Sequence, residues 1–377
     1  MGAKERDSVR RAAITTPRRC TAGRAAPVAR ARAVRDANAT RMLLLGIETS
    51  CDDTATAVVR DGRIALANVS TNQDAFHAKF GGIVPEIASR QHLALLSAAV
   101  EDALDRAAVT LADLDGIAVT AGPGLVGSLV IGVASAKALA YASQKPLYAV
   151  NHLHGHIFAP FIEANVEPTY PFLALLVSGG HSQLVHVASP VALRIVARTR
   201  DDAAGEAFDK TARLLGLPFP GGPAIDRLAR DGDPSAIPFP RYRPERGALD
   251  MSFSGIKTGV KYFLDSPAGR AAKPADVAAS FQAAVVDVLI DRLDRAARLE
   301  PYAAAVLSGG VAANSALQRA FRAWSARSGV PGYIPEMRFC TDNAAMIAAA
   351  ADRQREAVRC DPRTLGADPG LPFSTFR

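Results

Sequence analysis

Apolar and polar positions change period several times along the chain, and each change marks an element. Met42–Ile47 is a short apolar run, the turn Glu48-Thr49-Ser50-Cys51-Asp52-Asp53-Thr54 is polar, and Ala55–Val59 is apolar again, which predicts strand, turn, strand. The same plan recurs at Phe172–Val177, Ser178-Gly179-Gly180-His181-Ser182 and Gln183–Val187, about 130 residues later. That spacing is too long for a solenoid and points to a duplicated unit, with two similar domains facing each other. Between the hairpins, Pro85–Leu104 is apolar at helical spacing, Gly116–Thr120 reads as a strand, and a helix runs from about Leu125 to Ser143. The second half alternates likewise: a helix near Gly205–Leu215, a strand at Ala303–Leu307, and a helix from Ala313. Strands alternating with helices predict an α/β fold. The Pro-rich, charged stretches 231–250 and 266–275 read as surface loops. The expected division is a tail over 1–41, a first domain over 42–150, a second over 151–350 and a C-terminal segment over 351–377.

Composition changes this picture in one respect. Of 377 residues, 49% are hydrophobic and 21% charged, an ordinary globular balance with room for two domains. The formal charge of +7 belongs to the tail: residues 1–41 hold 11 Lys and Arg against 3 Asp and Glu. Residues 42–377 hold 33 basic and 34 acidic groups, so the folded part is nearly neutral and its overall charge is no argument for nucleic-acid binding. The tail has the arginines of a mitochondrial transit peptide but only one serine, Ser8, and a basic arm touching RNA is a second reading. It is read here as a disordered basic extension, with Met42 opening the folded part. Cys20, Cys51, Cys340 and Cys360 have no C-x-x-C spacing, which argues against a disulfide framework and for a reducing compartment. No apolar run is read as approaching the roughly 18 residues of a membrane span, and no secretory signal is seen, so a cytoplasmic location with no membrane partner is expected.

The candidate chemistry starts from His152 and His156 in Asn151-His152-Leu153-His154-Gly155-His156. Histidines at i and i+4 share a helix face, so both rings can reach one ion, and Asp342 in Thr341-Asp342-Asn343 would make a third ligand. Three protein ligands leave a coordination position open, the layout of a working ion. A zinc peptidase of the H-E-x-x-H kind needs Glu directly after the first His, and Leu153 stands there. The bland alternative is two ordinary helical histidines, with His154 a bystander on another face.

Glycine-rich segments follow the predicted strands. Gly122-Pro123-Gly124-Leu125-Val126-Gly127-Ser128 could cradle a phosphate at a helix start or could only permit tight packing; it is not a P-loop, lacking G-K-[ST]. Val177-Ser178-Gly179-Gly180 and Leu307-Ser308-Gly309-Gly310 both end an apolar strand in Ser-Gly-Gly, where a ligand can approach the backbone. Two such motifs in equivalent halves favour a nucleotide between the domains, with Asn314 near its ribose or purine. Asp209 lies beyond the first helical turn, where acids merely complement the dipole, and is free to bond ligand hydroxyls. Gly221-Gly222-Pro223 with Asp226 is a turn plus an acid.

Together these segments resemble the tRNA N6-adenosine threonylcarbamoyltransferase family, formerly described as O-sialoglycoprotein endopeptidase. The matching pieces run in order: Gly46-Ile47-Glu48-Thr49-Ser50-Cys51-Asp52-Asp53-Thr54, Gly81-Gly82-Ile83-Val84-Pro85-Glu86, Gly122-Pro123-Gly124-Leu125, Asn151 to His156, Leu176 to His181, Gly205-Glu206-Ala207-Phe208-Asp209-Lys210, Phe253-Ser254-Gly255-Ile256-Lys257-Thr258, Leu307 to Asn314 and Cys340 to Asn343. The resemblance implies two related α/β domains of the actin/sugar-kinase/Hsp70 type with the active site in the interdomain cleft. It implies transfer of threonylcarbamoyl from its adenylate to N6 of the adenosine beside the anticodon, in tRNAs reading codons that begin with A. It further implies that His152, His156 and Asp342 hold one divalent ion, iron first and zinc as the alternative. Leu176, Val177, Ser178, Gly179, Gly180, Asp209, Gly222, Asp226 and Asn314 would hold the adenylate. Implied partners are tRNA, the synthase that makes threonylcarbamoyladenylate, an inactive paralogue of the same fold, and a small P-loop ATPase. A sugar kinase or a non-catalytic subunit on this fold would be expected to lack the His pair.

Overall fold

The computed structural model describes residues 42–245 and 247–374; the tail 1–41 lies outside the described residues. The first predicted hairpin is β1 (Leu43–Glu48) antiparallel to β2 (Thr54–Arg60), with Leu45 opposite Val58 and Gly46 opposite Ala57. β3 (Ile64–Thr71) extends it on the far side, and β4 (Gly116–Gly122) and β5 (Leu147–Asn151) add parallel strands beside β1. The second predicted hairpin is β6 (Phe172–Val177) and β7 (Ser182–Ser189), extended by β8 (Ala192–Arg198), with β9 (Ala304–Ser308) and β10 (Gly332–Tyr333) parallel on the other side. The spatial orders β5-β4-β1-β2-β3 and β10-β9-β6-β7-β8 are the same, so the duplication visible as two hairpins extends over five strands of each sheet. β11 (Arg359–Cys360) then pairs with β5, returning the chain's end to the first sheet.

Two short segments departed from the sequence reading. Residues 266–275 are not a plain loop: Pro267–Ala271 is helical and Pro274 opens the 24-residue helix Pro274–Ala297. Proline breaks a helix interior, but at the first helical position, where Pro267 and Pro274 stand, its missing N–H has no partner to lose. The helix Val126–Ser143 is long and apolar enough to cross a membrane by length and composition, against the expectation that no run is. Here it is a packing element: Leu129, Val133, Ala136 and Ala140 are buried in the cluster that also holds Leu45, Ile117 and Val119 of β1 and β4.

The core that matters for the site lies between the sheets. Ala55, Ala57, Ala118 and Val150 from the first sheet and Ala174, Leu176 and Val306 from the second enclose the helices His152–Phe158 and Ala344–Arg353. The latter contributes Ala344-Ala345-Met346-Ile347-Ala348-Ala349-Ala350-Ala351, all fully buried, and small side chains let it press on β1: a Cβ at Gly46 would lie 3.2 Å from that of Ala348. In the second half, Trp324 of the helix Ser315–Ser328 is fully buried and donates from Nε1 to Asp294 Oδ1 at 3.0 Å. Trp324→Ala removes that packing and leaves the carboxylate without its indole. The expected loss is about 3–5 kcal/mol of stability, read from urea unfolding with unchanged m-value.

Candidate metal centre

β5 runs straight into the helix that carries the two histidines. Asn151 caps it, its Oδ1 accepting from Leu153 N at 2.9 Å. Gly155, a poor helix former, is where the helix touches its neighbour: a Cβ there would lie 2.9 Å from Met346 Cγ and Ile347 Cδ1. That neighbour starts at Asn343, whose Oδ1 accepts from Met346 N at 3.0 Å, so Asp342 stands at its mouth. The two helix starts therefore bring together three residues far apart in sequence.

The ligand atoms of His152, His156 and Asp342 all lie within 4.8 Å of one another. Asp342 Oδ1 is 3.1 Å from His156 Nε2 and 3.6 Å from His152 Nε2, and the two rings stand nearly perpendicular with centroids 4.8 Å apart. Behind His152 sits Glu48, fully buried at the end of β1, accepting from Nδ1 at 2.9 Å. Glu48 also accepts from Thr120 Oγ1 at 2.6 Å and from the Ser50 amide, and Ser50 Oγ lies 3.1 Å from the same Nδ1. The carboxylate fixes the His152 tautomer and turns Nε2 toward Asp342, the outer-shell arrangement typical of metal-bound histidine. His156 Nδ1 is buried with no hydrogen-bond partner among the described residues. Two imidazole nitrogens and one carboxylate oxygen facing a common point suit iron or zinc, so the residues present fit a divalent ion.

The electrostatics agree. Burial alone would lower the His152 imidazole, but Asp342 and Glu48 outweigh it and lift it to about 9. Asp342 is held well below the usual carboxylate range, burial being overcome by the His152 and His156 charges. Asp53, in the turn after β1, is pushed up to about 8 by burial and then by Asp342 and Asp52. Carboxylates crowded this way favour a cation among them. His154 faces elsewhere, as a bystander would: its Nε2 donates to the Phe373 carbonyl at 2.8 Å, and burial drives it down to about 4.

The second half contributes a connected surface. Leu176 and Val177 are buried in β6, while Ser178, Gly179 and Gly180 form its turn, where Ser178 N donates to His181 O at 2.7 Å. Asp209, in the helix Ala204–Leu214, accepts from Gly221 N at 2.8 Å, and Asp226 accepts from Ser315 N at 3.2 Å and Oγ at 2.8 Å. Asn314 caps the helix Ser315–Ser328, its Oδ1 accepting from Leu317 N at 2.9 Å while Nδ2 donates to Gln282. Side chains built at Gly179, Gly180 and Gly222 would meet nothing within 4 Å, which leaves the backbone there open to a ligand. His181 ties this turn to the histidine pair: burial first, then the charges of His152 and His156, push it down to about 4.

The Gly122-Pro123-Gly124 turn serves packing. A Cβ at Gly122 would collide with the Asp368 carbonyl and one at Gly124 with Ser50, and the amides of Gly124 and Leu125 are bonded to Pro369 O and Ser50 O. Glu48, Ser50, Thr120 and His181 are the residues that sequence reading did not assign a role. A glutamate at the end of an apolar strand was the available signal for Glu48.

The sequence model described as tRNA N6-adenosine threonylcarbamoyltransferase matches residues 65–349. The chain belongs to that family. Among relatives bearing that name, the one from Moorella thermoacetica is 50% identical over 338 residues, 89% of this chain and 98% of its own length. The one from Anaeromyxobacter dehalogenans strain 2CP-C is 51% identical over 331 residues, 86% of this chain and 98% of its own. Among solved structures, HypF of T. kodakarensis superposes with a TM-score of 0.57 over 84% of this chain and 48% of its own, at 14% identity, a likeness of fold alone. The fold is α/β of the actin/sugar-kinase/Hsp70 type. In this member of the family, Gly205 is where the helix Ala204–Leu214 meets the Ser178 turn: a Cβ there would lie 2.6 Å from Ser178 O and 2.8 Å from Gly179 Cα. Gly205→Ala is expected to cost about 1–3 kcal/mol in thermal or urea unfolding by forcing the turn away.

Proposed function

We propose that this chain transfers the threonylcarbamoyl group from L-threonylcarbamoyladenylate to N6 of the adenosine 3′-adjacent to the anticodon, in tRNAs reading codons that begin with A. The observation that carries the reading is His152, His156 and Asp342 converging on one point in a chain half-identical to transferases of that name. Those three residues would hold one divalent ion, iron in the first instance and zinc as the alternative. When bound, the ion supplies a Lewis acid at its open position. Glu48 orients His152, and the Ser178–Gly180 turn, with Leu176 and Val177 behind it and Asp209, Gly222, Asp226 and Asn314 around it, receives the adenylate. Gly179, Gly180 and Gly222 offer it open backbone, while Asp209, Asp226 and Asn314 are held in place by the bonds described above. An acyl adenylate is already activated, so the protein's task is positioning the adenine amine in line with the carbonyl. The target base must leave its stack to be reached.

A peptidase reading lacks its base. Leu153 is buried, and Glu48 bonds the rear nitrogen of His152 rather than facing the coordination side. The partners of the reading are tRNA, the adenylate synthase, an inactive paralogue of the same fold and a small P-loop ATPase, in the cytoplasm. The test is incubation with tRNA, threonine, bicarbonate, ATP and the synthase, with the other two subunits added, followed by digestion and mass spectrometry of nucleosides. Threonylcarbamoyladenosine is the expected product. Its absence from the complete mixture, with the adenylate shown to be present, overturns the reading.

A further inference from the structure

One surface beside the site has no role in the chemistry above. Between β3 and the helix Pro85–Ala107 the chain passes through Asp74–His77 and the short turn Ala78–Phe80. β3 ends with Thr71 opposite Thr54, directly after the Asp52–Asp53 turn, so this segment leaves the sheet beside the turn that follows Glu48. The segment is pinned from beneath: His77 is fully buried, accepting from Val84 N at 3.2 Å on one nitrogen and bonding Gln73 Oε1 at 3.3 Å with the other. Two of its exposed side chains are nevertheless aromatic. Phe76 is 46% exposed and Phe80 55%, and Lys79 Nζ lies 5.0 Å from the Phe80 ring centre.

Two aromatic side chains left about half in water on an anchored segment mark a contact surface. Two rings with a lysine between them match the equipment that binds single-stranded nucleic acid, bases on the rings and phosphate on the cation. Residues 42–377 carry a formal charge of −1, so bulk attraction cannot hold RNA against this body and local stacking has to. An adenosine drawn from its stack also leaves neighbouring bases with exposed faces.

We propose that Phe76 and Phe80, with Lys79 between them, form a stacking platform for unpaired bases flanking the target adenosine of the RNA substrate. This rests on the functional reading above and names how the RNA is gripped. The test uses the full-length chain and two fluorescent RNAs, an anticodon stem-loop and a fully paired duplex of equal length. The duplex control absorbs whatever residues 1–41 contribute through charge. Phe76→Ala, Phe80→Ala and Phe80→Leu should each weaken stem-loop binding about tenfold or more, Phe80→Tyr should restore it, and duplex binding should not move. Melting temperatures should fall by no more than a few degrees, because about half of each residue is already in solvent. Wild-type affinity in Phe80→Leu overturns the platform, since grease without a π-face would then suffice. Wild-type stem-loop binding by the Ala variants, with lost association to the paralogue or ATPase, overturns it in favour of a protein dock. If the wild-type chain makes threonylcarbamoyladenosine while the Ala variants match it in KM for tRNA, the platform fails and the function stands. If the wild type makes none in the complete mixture, the functional reading itself fails.

Discussion

His156→Ala is expected to yield a folded chain that holds no stoichiometric metal and forms no detectable threonylcarbamoyladenosine. Among the described residues nothing bonds the rear nitrogen of His156: its Nδ1 is buried and unpartnered, while Nε2 faces Asp342. Removing it deletes a metal donor without stranding an orienting partner, so the loss is concentrated at the ion. Loss of an outer-shell residue typically costs about 10–100-fold in affinity, and loss of a direct ligand should exceed that. The fold should tolerate the change with a loss of a few kcal/mol at most, since the helix is capped by Asn151 and packed through Gly155 on Met346 and Ile347. Elemental analysis after dialysis, circular dichroism and nucleoside analysis read the three quantities separately. Wild-type metal content in the variant would place the ion elsewhere and remove the basis of the functional reading.

The strands recognised in the sequence are mostly buried on both faces, although β5, buried as fully, carries too short a run to stand out. β1, β2, β6 and β7 are nearly continuous apolar runs broken by polar turns, and they stand where the pattern puts them. β3 and β8 flank those hairpins with alternating, half-exposed residues, a weaker signal that the same reading passed over. The His pair was legible as two imidazoles at helical spacing and Asp342 as an isolated acid, and the fold brings the three within 4.8 Å of one another. Glu48 was not legible, because its function lies in where β1 ends against β4 and the start of the histidine helix, a tertiary fact. The Gly122-Pro123-Gly124 turn shows the same limit from the other side. Gly122 and Gly124 look like a phosphate loop in one dimension, yet their missing side chains make room for Asp368 and Ser50. Spacing in sequence tells which atoms are small there and says nothing of what fills the gap.

Glu48→Gln should weaken metal binding about 10–100-fold and also change how it depends on pH. In the metal-free chain, Asp342 and Glu48 hold the His152 proton up to about pH 9. That pKa is raised above its ordinary value, so the proton stabilises the metal-free fold fully below about pH 6.5, and this contribution is lost as pH rises through about 9. The ion competes with that proton. Wild-type affinity should therefore climb about tenfold per pH unit up to about pH 9 and level off above it. Glutamine keeps an amide oxygen that can accept from Nδ1 but removes one of the two charges that retain the proton. In the variant the climb should end at lower pH, and the plateau should sit lower because His152 is less firmly aimed and its nitrogen less basic. Competition titrations of both proteins with a chromophoric chelator from pH 6.5 to 9.5 separate the two effects. Superimposable curves would mean that Glu48 neither aims the imidazole nor holds its proton, and that its burial at the end of β1 serves the sheet alone.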